Sequence, residues 1–156
     1  MAVEGLPTSL TLEIVTPDRP LAVEQVDEVV VPACEGYLGI LPGHTPLLAT
    51  LSIGQLWFRK GSQKFFLSIA GGFVEVLPDK VTILAQIAER AEEIDVARAQ
   101  RAKQRAEERL AKSGSEVDHE RARASHLRAT VRLQVAALVA TGTQAGATPA
   151  PTSMPA

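Results

Sequence analysis

The side chains best arranged for chemistry are arginines and carboxylates in the second half of the chain. Asp95, Arg98 and Ala99 stand at i, i+3 and i+4, which on a helix places them on one face. Arg128 and Arg132 share a face in the same way. If these two segments are antiparallel helices, the start of the first lies beside the end of the second. Arg98, Arg128 and Arg132 then approach one another, with Asp95 and Glu89 close by. Arginine presents planar, bidentate donors, so three guanidiniums together suit a polyphosphate. The plainer alternative is a solvated face with local Asp–Arg ion pairs, each worth little.

The rest of the inventory is thin. His44, His119 and His126 are the three histidines, and the chain has no HExxH, CxxC or P-loop. Neither a metal site nor a Walker-type phosphate site is expected. Glu92-Glu93 and Glu107-Glu108 are sequence neighbours, which diverge in direction on a helix and make no acid–base pair. Cys34 is the only cysteine, so no internal disulfide forms. No motif sets a base beside it, as a reactive thiolate requires. No catalytic residue is expected.

Composition shows which elements must position these groups. All four Phe, the only Trp and the only Tyr lie before residue 89. Leu10, Leu12 and Ile14 alternate with Thr11 and Glu13, the period of a half-buried strand. Further β-branched and aromatic runs follow, separated by Pro17–Pro20, Pro42–Pro46, Lys60–Gln63, Gly71-Gly72 and Pro78-Asp79. Many short strands with turns between them predict a sandwich or barrel. Parallel pairing is not expected, because there is no room for helical crossovers. From Ile94 to Lys112 there is no Gly or Pro, and Ala recurs at 97, 99, 102 and 106. Ser113-Gly114 breaks the run, and Ser115-x-x-Asp118 reads as a capping box for a second helix. There Ala124, Leu127, Val131, Val135 and Leu138 step by three and four along one apolar face. The short break predicts an antiparallel hairpin.

The expected architecture is an all-β sandwich over 1–88, then an α-helical antiparallel hairpin over 89–140, α+β in sum. A disordered, uncharged tail is expected over 141–156. Net charge is −2. Residues 1–88 carry five basic and nine acidic side chains, and residues 89–140 carry eleven and nine. A mildly basic hairpin on an acidic base suggests a protein partner with acidic surface, and falls short of the basic stripe that nucleic acid wants. No basic-then-apolar signal peptide opens the sequence. Val135–Ala140 is too short an apolar run to span a bilayer.

The run from Gly36 to Leu48 (GYLGILPGHTPLL) resembles the signature of the epsilon subunit family of bacterial F-type ATP synthases, called delta in mitochondria. Leu12–Pro17, Gly71–Val76, Ile94–Ala99 and Arg128–Leu133 agree in order and spacing, so the resemblance covers roughly residues 8–140. It implies a ten-stranded sandwich and a two-helix hairpin in a non-catalytic central-stalk subunit. The implied partners are the gamma subunit, the c-ring and, through an extended hairpin, the alpha and beta subunits. The implied location is peripheral, on the cytoplasmic side of the cell (inner) membrane, with membrane contact only through partners. The extended hairpin would restrain ATP hydrolysis.

The resemblance also assigns residues. The contact to c-ring and gamma would use Glu35, Gly36, Leu38, Gly39, Pro42, Gly43 and His44, read as an exposed glycine-rich loop. The alternative there is an ordinary tight connection whose glycines supply positive φ. Nucleotide-binding members carry the Ile94–Ala99 motif with an upstream Glu and two late arginines, matched here by Glu89, Asp95, Arg98, Ala99, Arg128 and Arg132. ATP is thereby implied as a regulatory ligand, its adenine amino group or ribose donating to the carboxylates, and no cofactor is required. A free-standing ATP sensor and a sandwich adaptor that dimerises through its helices are the rival readings.

Overall fold

The computed structural model describes residues 5–112 and 114–140, so the expected tail over 141–156 lies outside the described residues. Seven strands come first: β1 (Leu10–Val15), β2 (Pro20–Val26), β3 (Glu28–Ala33), β4 (Gly36–Ile40), β5 (Leu47–Lys60), β6 (Gln63–Val76) and β7 (Lys80–Arg90). A 3-10 turn at Ala91–Glu93 leads into α1 (Val96–Ala111) and α2 (Glu116–Ala140). The strand order is β2-β1-β7-β6-β5-β3-β4. β7 pairs as far as Arg90, opposite Leu67, so Glu89 is a residue of the sheet and not of the hairpin.

Alternation works as expected in β1, where Leu10, Leu12 and Ile14 are fully buried. One expectation fails. β1 runs parallel to β7, from Thr11 opposite Lys80 to Val15 opposite Leu84. No crossover helix is needed because these are the first and last strands, and the rest of the sandwich connects them.

The sandwich arises from a crease in three long strands. In the first half of β6, Phe65, Leu67 and Ile69 face the main core. After Gly71 and Gly72 the other parity, Val74 and Val76, faces it. β5 changes from Leu51 to Leu56 and Phe58, and β7 from Ala85 to Ala88, at the same level. The pairing register stays constant throughout, so the ribbon twists without gaining a residue. Gly71 and Gly72 carry φ of 76° and 118°, a region that L side chains rarely enter. A Cβ on Gly72 would lie 2.0 Å from the Leu84 carbonyl oxygen. The crease also explains the strand count. β5, β6 and β7 cross it unbroken, so the ten strands implied by the resemblance become seven continuous elements.

On the side of the crease that holds the first half of β6, the opposite face of β5 and β6 is covered by α2. Phe66, Ala91 and Ile94 pack there with Val131 and Val135, supported by Ile53, Trp57, Ala136, Leu138 and Val139. Because that half is covered on both sides, Phe66 to Ala70 reads as an unbroken buried run. The helices meet along alanines seven apart, Ala99 and Ala106 on α1 and Ala122 and Ala129 on α2, each at most 2% exposed. Helix α2 therefore buries two faces. The expected single stripe is corrected accordingly, since Leu127 is 46% exposed while Val131 and Val135 are buried.

Both helix starts are capped. The Asp95 carboxylate accepts from the Arg98 amide at 2.9 Å. Ser115 Oγ accepts from the Asp118 amide at 3.3 Å and donates to the Asp118 carboxylate at 2.9 Å, close to the expected capping box.

Candidate functional site

Two regions carry the residues singled out above. The first is the base of the hairpin, where β7 ends and α2 passes over it. Glu89 projects from β7 on the helix-covered face, and the Arg132 guanidinium donates to its carboxylate. Both side chains are about one-third exposed or less, at 32% and 27%, so the pair is partly shielded from water. Asp95 lies just outside α1 and caps it, and Ala99 is buried in the alanine seam. Arg128 donates to Ser125 Oγ on its own helix at 3.0 Å. The Arg98 side chain is exposed and has no ion pair among the described residues.

The structure thus joins Glu89 to Arg132 and leaves Arg98 and Arg128 uncommitted to carboxylates. Of the three arginines, two are thus free of carboxylate partners and the third is neutralised. The carboxylates are less available as acceptors, because Glu89 is paired and Asp95 serves a backbone amide.

The junction beside this site is held by contacts that sequence reasoning missed. Arg19, in the β1–β2 turn, reaches both carboxylate oxygens of Glu93 at 3.1 and 3.0 Å. Arg90 donates to the Leu21 carbonyl at 3.1 Å. Arg19 and Glu93 are 74 residues apart, so no local pattern announces their meeting.

The second region is the Gly36–His44 segment. The expected exposed loop is instead strand β4, at the edge of the sheet, with Tyr37 opposite Pro32 and Leu38 opposite Val31. Cys34 and Glu35 form the tight turn before it, since Ala33 pairs directly with Gly36. A five-residue strand spans about 17 Å, so Glu35 and the Pro42–His44 turn stand at opposite ends of β4. At the second end the Gly43 amide donates to the Pro78 carbonyl at 2.7 Å, and Gly43 has φ of 85°. The His44 amide donates to the Leu41 carbonyl at 3.1 Å, and its Nδ1 lies 2.7 Å from the Thr45 carbonyl. A carbonyl only accepts, so Nδ1 carries the hydrogen. His44 is a turn histidine.

Next to this turn the sandwich shows an apolar outer face. Phe73 pairs with Leu84, and Leu84 with Val15, forming a row across β6, β7 and β1. Leu48 shares that face through its partner Glu75. Leu48, Phe73 and Leu84 are 69%, 53% and 54% exposed. Outward positions of a half-buried sheet are normally polar, so Phe and Leu there were the available sequence signal.

Among the described residues no group of His, Cys, Asp and Glu could hold a metal ion. No helix among the described residues is long and apolar enough to cross a membrane.

The fold defines a class of protein: a β-sandwich that carries a two-helix hairpin against one half of its sheet. Residues 9–91 match the family model for the β-sandwich domain of the ATP synthase delta/epsilon chain, and residues 92–137 match that for its long α-helix domain. The ATP synthase epsilon chain of Nitratidesulfovibrio vulgaris (strain DP4) is 50% identical over 127 residues, 81% of this chain and 95% of that one. The epsilon chain of Solibacter usitatus is 50% identical over 131 residues, 84% and 98% of the two chains. The fold is also shared with a chain in the structure of the Euglena gracilis mitochondrial ATP synthase, at a TM-score of 0.65 and 24% identity, covering 92% of this chain and 88% of that one. The chain belongs to the ATP synthase delta/epsilon chain family.

Proposed function

We propose that the chain acts without catalysis of its own in the rotor of an F-type ATP synthase. It couples c-ring rotation to the catalytic head and limits ATP hydrolysis through its helices. The observation that carries this reading is the separation of two apolar clusters. The sandwich core is complete without α2. Residues of α2 enter a second, smaller cluster on the sheet's outer side. The hairpin can leave that surface while the sandwich stays folded.

The two ends of β4 suit two partners at once. The Pro42–His44 turn and the adjoining apolar face fit the gamma subunit. The polar Glu35 tip fits the loops of the c-ring. The released hairpin, bearing Arg98, Arg121, Arg123 and Arg128, fits acidic surfaces of alpha and beta. The complex would then hold the chain peripherally at the cytoplasmic side of the membrane.

ATP bound by Arg98, Arg128 and Arg132 would favour the docked hairpin. A ligand selective for the docked form, at about 100 times its dissociation constant, stabilises that form by roughly 2.7 kcal/mol.

The test is reconstitution with alpha, beta, gamma and the c-ring. Both the full chain and residues 1–94 should bind gamma, and only the full chain should restrain hydrolysis. Equal hydrolysis with the two forms removes the braking role. Isothermal titration with ATP checks the ligand separately, and no binding at millimolar ATP removes it.

A further inference from the structure

The free end of the hairpin, remote from its base, holds a concavity whose basic residues enter no contact described so far. A cleft of about 390 Å³ opens there. Arg109 and Lys112 line it from the end of α1, and Asp118, His119 and Arg121 from the start of α2. Three permanent cations and an imidazole therefore face one carboxylate. That carboxylate already accepts from Ser115 Oγ at 2.9 Å. Arg109, Lys112 and Arg121 have no ion pair among the described residues, a state they share with Arg98, Arg101, Arg105 and Arg128, while Lys103, Arg123 and Arg132 each have a carboxylate partner; what sets the three apart is that they line one cleft.

Like charges gathered on one concave wall repel one another, and a concave wall focuses their field. An anion carrying several negative charges relieves that repulsion. A volume of about 390 Å³ falls near the lower end of small-molecule sites, roughly 300–1,000 Å³. A flat acidic protein surface would not fill it. Arginine's planar fork matches phosphate oxygens in bidentate fashion, and lysine adds a point charge.

We propose that this cleft binds a multivalent phosphate group, a diphosphate or triphosphate, either free or as the tail of a nucleotide. The anion bridges Arg109 on α1 and Lys112 just after it to Arg121 on α2, and so clamps the tip of the hairpin closed. The proposal shares no residue with the ATP reading at the hairpin base and does not depend on it.

The experiment is a titration of the isotope-labelled full chain at low ionic strength, with pyrophosphate, inorganic phosphate and ATP as separate arms. Gly114 and His119 amide signals should shift saturably with pyrophosphate and more weakly with inorganic phosphate. Lys112→Ala and Arg121→Ala should each weaken binding about tenfold, the loss expected for one charge-assisted contact. Both side chains are exposed, so thermal melts of the variants should match the parent. Tighter binding of ATP than of pyrophosphate at these signals identifies a nucleotide as the source, and equal binding identifies the free anion. Shifts that never saturate, or that survive both substitutions, overturn the proposal. So does a response lost in Arg98→Ala but kept in Arg121→Ala, which assigns the anion to the hairpin base. Shifts with an acidic peptide and none with pyrophosphate would assign the cleft to a protein partner instead.

Discussion

Replacing Val135 by alanine should release the hairpin from the sheet without unfolding the sandwich. Val135 is fully buried, and its neighbours are Phe66, Ala91, Ile94 and Val131 in the outer cluster. None of these belongs to the main core. The substitution removes two carbons, each worth about 0.8 kcal/mol when buried. The cavity left behind adds to that, for a sum of about 2 kcal/mol. Each 1.4 kcal/mol is a factor of ten, so the docked-to-released ratio should fall about 30-fold. Trp57 reports the change, since it is the only tryptophan in the chain and packs against the same cluster. Its emission should shift to the red in Val135→Ala, and helix α2 should exchange amide hydrogens faster. The urea midpoint of the sandwich strands should not move. Leu127→Ala, at a position 46% exposed, serves as a control and should change neither signal. The reasoning is refuted if Trp57 emission is unchanged while the sandwich midpoint drops. Helix and sheet would then form one cooperative unit, and a docked hairpin could not be released alone.

Other expectations follow from the same contacts. Arg132→Ala should loosen docking even without nucleotide, because it leaves Glu89 unpaired on the covered face, whereas Arg98→Ala should alter ATP affinity alone; paired ATP titrations and Trp57 spectra separate the two. Gly72→Ala should cost more than about 3 kcal/mol in chemical denaturation or prevent folding, since its Cβ would strike the Leu84 carbonyl and the residue must hold a positive φ. The hydrogen bond from Lys80 to Glu13, with the Glu13 charge next, raises the Lys80 pKa above its ordinary 10.5. A raised folded-state pKa gives stability that is fully present below the unfolded value and is lost as pH rises through the folded value. The stability difference between the parent and Lys80→Gln should therefore be constant from pH 7 to 9 and shrink in strong alkali, as read from urea midpoints. A fragment of residues 1–94 should be more stable than one of 1–88, because the shorter cut removes the Glu89 and Arg90 pairs with Ser68 and Leu67 and the bond to the Leu21 carbonyl.

The sequence disclosed whatever depends on local periodicity. Leu10, Leu12 and Ile14 announced a half-buried strand because one face of β1 meets the core. The caps at Asp95 and Ser115 were legible, or nearly so, because a cap joins residues three apart. What stayed hidden depends on partners far along the chain. The Gly36–His44 segment was read as a loop because its glycines and prolines are turn formers, yet β3 beside it supplies a ladder that makes Gly36–Ile40 a strand. That ladder separates the two ends of the expected interface. Among the nucleotide candidates, spacing placed Arg128 and Arg132 together on α2 but gave no sign that Glu89 would neutralise one of them from the sheet.

The crease at Gly71-Gly72 links fold and function most directly. Where a strand has one buried face, its apolar residues alternate; where both faces are covered, they run together. β6 contains both patterns, divided by two glycines at positive φ. The alternating half leaves Phe73 bare on the outer face, and the continuous half is capped by α2. A single ribbon therefore presents a bare apolar face at one end and a helix-covered one at the other. The helix-covered cluster has five buried members against eighteen in the main core. Removing the hairpin uncovers only that minor share of apolar area. The main core contains no residue of the hairpin, so it would hold the sandwich, and with it the bare face, in shape if the helices undocked.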